Sequence, residues 1–142
     1  MSLKRIKYVS SFSRPMTPAE IDDLAQEAGF NNEVLEITGI LAVSGSLFFQ
    51  ILEGPQEAVD QIYSRILQDN RHVHVMLLRE EVGELERLFP DWTMRKVDLS
   101  EDAENRLAPL RAILEAVFAQ TQTVGQLTHA LERGIWLELN RK

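Results

Sequence analysis

The sequence predicts an α+β fold in which one sheet carries two helices on one face and a helical appendage follows. Three observations predict it. Short apolar runs with period-two alternation mark strands, stretches whose apolar residues recur every three or four positions mark helices, and from residue 99 onward only the helical period remains.

The first strand is KRIKYVSS, where Ile6, Tyr8 and Ser10 share one face and Arg5, Lys7 and Val9 share a more polar one. Tyr8 is therefore expected to point inward. Thr17-Pro18-Ala19-Glu20 reads as a capping box with proline at the first helical position. Ile21, Leu24, Ala25 and Ala28 follow at helical spacing, and Gly29 reads as the stop. EITGILAV and SLFFQILEG are two apolar strands split at Ser44-Gly45, a short hairpin. Pro55 opens a second helix, PQEAVDQIYSRILQDN, with Val59, Ile62, Tyr63, Ile66 and Leu67 on its buried side. VHVMLL is a fourth strand and WTMRKV a fifth.

The order β-α-β-β-α-β is the ferredoxin-like split βαβ motif, whose first and third strands are central neighbours. That topology brings Tyr8 and Gln50 together on one face. Beyond Ser100, Ala103, Leu107, Leu110, Leu114 and Val117 form an apolar stripe in which Pro109 should start, kink or split a helix. Thr123 and Gln126 form a further capping box ahead of Val124, Leu127, Leu131 and Ile135. Residues 1–98 thus read as one domain and 99–142 as a helical extension, expected on the second face of the sheet.

Composition narrows the functions. The chain has 142 residues and 15 basic against 22 acidic side chains, so its net charge of −7 has the wrong sign for a nucleic-acid backbone or an anionic membrane. The absence of cysteine excludes disulfides, zinc–thiolate sites, thiol catalysis and any cysteinyl–flavin photochemistry. No apolar run reaches the ~18 residues of a membrane span, and MSLKRIKY lacks the apolar stretch of a signal peptide, so a cytoplasmic protein is expected.

Gln50 in FFQILEG is the most conspicuous polar residue, because both faces of that strand are apolar and a buried amide is costly unless met. Tyr8 and Gln50 could simply satisfy one another. Arg65 and Asp69 lie i, i+4 and read as a surface ion pair, Asn31-Asn32 as a loop that caps backbone groups, and Trp92 and Met94 as core residues of the last strand. His72 and His74 sit at strand spacing with no carboxylate pattern of a metal site, and no metal is assigned. No hydrolase elbow, phosphate loop or dinucleotide fingerprint is present.

Together, Tyr8 with Ser10, Asn31-Asn32, ITGILAV, FFQILEG, RILQDNRH and RLFPDWTM resemble the BLUF family, sensors of blue light using FAD, over residues 3 to about 98. With only this domain and a helical tail, the chain resembles the short stand-alone members. The resemblance implies noncovalent FAD, its ring between the two helices, and a photoreceptor that is not an enzyme. It implies Tyr8 as electron and proton donor and Gln50 as the amide relaying to the flavin edge, with Trp92 and Met94 as the signalling-linked pair. It also implies Asn32, Asn31, Arg65, Asp69 and His72 as cofactor contacts. A downstream signalling protein of unknown identity is the implied partner, and the amphipathic tail makes the chain a candidate homo-oligomer. A flavin-dependent redox enzyme and a light-insensitive interaction module are the alternatives, since fold does not fix function.

Overall fold

The computed structural model describes residues 2–100 and 106–141. Its strands are β1 (Leu3–Phe12), β2 (Thr38–Ser44), β3 (Leu47–Pro55), β4 (His72–Gly83) and β5 (Arg95–Asp98); its helices are α1 (Pro18–Val34), α2 (Gln56–Gln68) and α3 (Ala108–Leu139). The sheet order is β4-β1-β3-β2-β5. β1 runs antiparallel to both β3 and β4, and β5 adds parallel to β2, which gives the ferredoxin-like core with one extra edge strand. Strand-one parity holds, and Tyr8 sits directly opposite Gln50 in the β1–β3 register.

Two apolar clusters fill the space beneath α1 and α2. One joins Ile6, Tyr8 and Leu52 to Val59 and Ile62 of α2; the other joins Phe12, Leu41 and Phe48 to Ile21 and Ala25 of α1. A third cluster covers the opposite face, where Val9 meets Leu99 and Leu114. The start of α3 therefore packs on the second face, where the helical extension was expected.

Several boundaries differ from the sequence reading, each for a local reason. The capping box of Thr17 and Glu20 forms, but Gly29 does not stop α1. A β-carbon there would lie 3.3 Å from Thr93 Oγ1, so glycine serves close packing against the segment before β5, and the helix runs on to Val34. Glu36, at φ 59°, makes the left-handed exit instead. Asn31 and Asn32 are consequently helical, not a loop. The hairpin turn is Gly45-Ser46, with Gly45 at φ +60°, the first central residue of a two-residue turn.

Pro55 caps α2 without entering it, and Leu67 faces out at 55% exposure. Pro109 starts α3, as one of its three readings allowed. The Thr123 box does not form, because the Thr123 hydroxyl donates to the Ala119 carbonyl inside one continuous helix. Leu110 also points outward, and Ala103 lies outside the described residues. β4 carries a bulge with His74 at φ 53°, which places His72 beside Phe12 and His74 beside Phe118. The two histidines do not share a face.

Candidate functional site

The site is built on β3. Leu41, Gln50 and Tyr8 are register neighbours on β2, β3 and β1, so their side chains line up under the helices. Gln50 is 7% exposed and Tyr8 1%. The Tyr8 hydroxyl donates to Gln50 Oε1, and Gln50 Nε2 points at Met94 Sδ 3.6 Å away. Hydroxyl, amide and thioether form a chain across the sheet face. A thioether is a weak acceptor, so the Gln50 amide has donor capacity to spare.

Tyr8 also carries the tilted ring of Tyr63 at 5.6 Å. Burial pushes the Tyr8 phenol far above its usual range, with a smaller contribution from Tyr63. The phenol thus holds its proton across ordinary pH.

Above this chain, α1 and α2 leave a groove of about 190 Å³ lined by Asn31, Asn32, Gln50, Arg65, Asp69 and His72 together with apolar Leu24, Ala28, Ile62 and Ile66. The residues expected at a cofactor are thus gathered at one place. Their partners differ from the sequence reading in one respect. Asp69 does not pair with Arg65; it takes the guanidinium of Arg71, with Nε 3.0 Å from both oxygens, and also accepts from the Arg71 backbone N–H. Two residues apart at a helix end, Asp69 and Arg71 form a compact turn, whereas Arg65 sits a helical turn away. That contact holds the Asp69 carboxyl below its ordinary range. Arg65 pairs with no carboxylate among the described residues, so its charge remains available to the groove. Arg71 itself lines the groove, a contact missed at sequence level although the D-N-R spacing could have flagged it.

His72 accepts or donates through Nδ1 at 3.3 Å from Ser10 Oγ, and burial lowers its pKa against an opposing pull from Asp69. A histidine depressed in the folded state stabilises the fold fully above its unfolded value, and that stability is lost as pH falls below about 6.5. Melting temperature is expected to drop between about pH 7.5 and 5.5, and His72→Gln should flatten the drop. An equal slope in that variant would place the titration elsewhere.

Trp92 and Met94 occupy the segment before β5, not a strand, so alternation does not place them together. Met94 packs inward against both helix-side clusters, whereas Trp92 is 41% exposed, stacked on Phe89 at 6.1 Å and under the Arg95 guanidinium at 5.4 Å. Only Met94 reaches Gln50. The backbone of this segment is held twice, since Gly39 N–H donates to the Trp92 carbonyl at 2.9 Å and Asn32 Nδ2 to the Thr93 carbonyl at 2.7 Å. The segment's approach is fixed by Glu53, 1% exposed, which accepts from Arg5 Nε at 2.9 Å, Leu88 N–H at 3.0 Å and Phe89 N–H at 2.7 Å. Arg5 also donates to the Glu86 carbonyl. This clamp was invisible in the sequence, where Arg5 read only as part of the more polar face of β1.

Fold and site together define a small ligand-binding domain of the ferredoxin-like class, with a polar chain on the floor of an inter-helix groove. The family follows from comparison: the model for sensors of blue light using FAD, BLUF, matches residues 3–95, and the chain belongs to that family. It is therefore a blue-light photoreceptor domain whose cofactor is FAD. The blue light- and temperature-regulated antirepressor BluF of Escherichia coli K12 is 36% identical over 110 residues, covering 78% of this chain and 26% of that protein. A bacterial light-regulated adenylyl cyclase superposes with a TM-score of 0.74 at 36% identity, over 95% of this chain and 38% of that one. The dark-state structure of BlrB, a BLUF protein, superposes with a TM-score of 0.66 at 29% identity, over 84% and 97%. The chain spans only 26% of the antirepressor's length and 13% of another curated relative's. No helix among the described residues is long and apolar enough to cross a membrane.

The residues of the groove fit FAD. An under-used amide donor, a guanidinium without a carboxylate partner among the described residues, and flanking aliphatic side chains suit a flat ring with carbonyl-bearing edges.

Proposed function

We propose that Tyr8 and Gln50 form the photochemical switch, and that its state is passed through Met94 and Trp92 to a partner of the chain. The single observation that carries this reading is the unbroken contact from the Tyr8 hydroxyl through the Gln50 amide to Met94, at the floor of the groove. Bound FAD supplies blue-light absorption and, when excited, an electron-accepting ring. Tyr8 would give up an electron to that ring and then its phenol proton, which the Gln50 amide is placed to relay to the ring edge. As both return, the Gln50 amide is left rotated or tautomerised, so that the group it presents to the ring edge and to Tyr8 has changed.

Asn32, Asn31, Arg65, Asp69 and His72 hold the ring's polar edge, with Asp69 kept ionised by Arg71, while the apolar Leu24, Ala28, Ile62 and Ile66 exclude water. Excluding water matters, because fewer hydrogen-bond arrangements then compete in the dry site. An exchanged neutral hydrogen bond is worth about 0.5–1.5 kcal/mol net, whereas inverting a 1:99 equilibrium takes about 5.5. The switch therefore biases an element that is already bistable. Residues 92–94 suit that role: their backbone is pinned at two carbonyls while Met94 lies in and Trp92 out. Residues 1–98 act as the sensor and 99–142 as the part that meets the partner, and catalysis is not assigned to either.

Tyr8→Phe tests the reading directly. The variant is expected to bind FAD with unchanged occupancy and to lose the normal light-induced red shift. A wild-type photocycle in that variant would remove Tyr8 from the mechanism.

A further inference from the structure

Gly29, Gly125 and Gly134 all sit inside helices, and they differ in what surrounds them. A β-carbon at Gly125 would meet nothing nearer than 3.9 Å, and one at Gly134 nothing within 4 Å. At Gly29 it would lie 3.3 Å from Thr93 Oγ1 and 3.9 Å from the Met94 β-carbon, and the first of these is tighter than side chains ordinarily pack. Glycine in a helix interior is destabilising relative to alanine, because it gives up more backbone freedom on folding. At residue 29 that cost comes with a close approach of the segment before β5.

The segment is held along one face of α1. Asp22 and Gly29 are seven residues apart, two helical turns, and so share that face. Lys96 Nζ donates to Asp22 Oδ1 while Thr93 stands at Gly29, so residues 93–96 run along α1 towards its N-terminus. Asn32, buried and nearly one turn beyond Gly29, donates to the Thr93 carbonyl at 2.7 Å, and its own carbonyl takes the Ile37 N–H at 2.8 Å. The Thr93 backbone therefore has little room to withdraw. Between these anchors Met94 turns into the core, where its sulfur meets Gln50 Nε2.

We infer that Gly29 is a positioning residue for the photochemical switch: carrying no side chain, it lets Thr93 close onto α1, and this sets the depth at which Met94 Sδ meets the Gln50 amide. Gly29 does not line the groove, so it acts on the amide through Thr93 and Met94, and its role rests on the switch proposed above. Alanine at this position pushes Thr93 away by a few tenths of an ångström, and Met94, the next residue, moves with it. The contact from the Gln50 N–H to sulfur, already 3.6 Å long, is weakened. Return to the dark form brings the amide back to Met94, so that return slows.

In the FAD-loaded full-length chain, Gly29→Ala is expected to keep the light-induced red shift, since Tyr8 and Gln50 remain. Its return in the dark should be roughly two- to twelvefold slower than in the wild type, the factor carried by one neutral hydrogen bond. Carbon-13 labelled methionine methyls report separately on position. The Met94 methyl resonance of the dark protein, identified by its loss in Met94→Leu, is expected to shift. Thr93→Ala removes the obstructing oxygen and keeps the carbonyl that Asn32 holds, so Gly29→Ala on that background should match Thr93→Ala alone in both rate and methyl position. Gly134→Ala, with open space around it, should change neither. A wild-type return rate in Gly29→Ala, an unmoved methyl, or a change that persists on the Thr93→Ala background would each overturn the role. A wild type with no red shift would instead sink the switch, and the methyl comparison would still decide whether Gly29 places Met94.

Discussion

Replacing Gln50 by leucine is expected to leave FAD bound and to abolish the light-induced red shift. Leucine keeps the bulk and the strand, and Phe48, Ile51 and Leu52 around it remain buried, so the groove should keep its shape. What disappears is the side chain that hydrogen-bonds to both Tyr8 and Met94. The Tyr8 hydroxyl is then buried without an acceptor, which costs about 1–3 kcal/mol. Occupancy is read from the flavin absorbance of the purified protein, and the shift from its change under illumination. A full shift in Gln50→Leu would mean that another group perturbs the ring.

The second large effect falls outside the groove. Glu53→Ala is expected to destabilise the protein by about 3–5 kcal/mol, because it strands the buried Arg5 guanidinium without its carboxylate. The same change frees the Leu88 and Phe89 N–H groups and releases the segment that leads to Trp92 and Met94. For a domain of this size each kcal/mol lowers the melting temperature by roughly 3–6 °C, so a fall of about 9 °C or more is expected. Thermal melts of the two FAD-loaded proteins measure it. A fall of only a few degrees would show that Arg5 finds water or the nearby Glu81, 3.5 Å away, and that the clamp is dispensable.

Strand and helix order was legible because each buried face keeps its own period. The ferredoxin-like topology made β1 and β3 neighbours, and strand parity then placed Tyr8 and Gln50 on one face. Boundaries were harder to read where a residue that usually ends a helix had another use. Gly29 makes room for Thr93, and Thr123 bonds back to Ala119. The groove residues were legible as family words, not as chemistry: nothing in Arg65 or Asp69 says which charge each meets, and the nearer Arg71 wins. The Glu53 clamp was unreadable because it joins β1, β3 and residues 86–89, far apart in sequence. Met94 inside and Trp92 outside was equally hidden, since the pair precedes β5 and alternation gives no parity there.

The most direct test of the switch is the light-minus-dark absorption spectrum of the FAD-loaded chain under blue light. Transfer from Tyr8 and a changed Gln50 contact predict a red shift of the whole flavin band that decays to the starting spectrum in the dark. A spectrum that does not move, or a flavin that bleaches and turns over with added reductant without any shifted form, would contradict it.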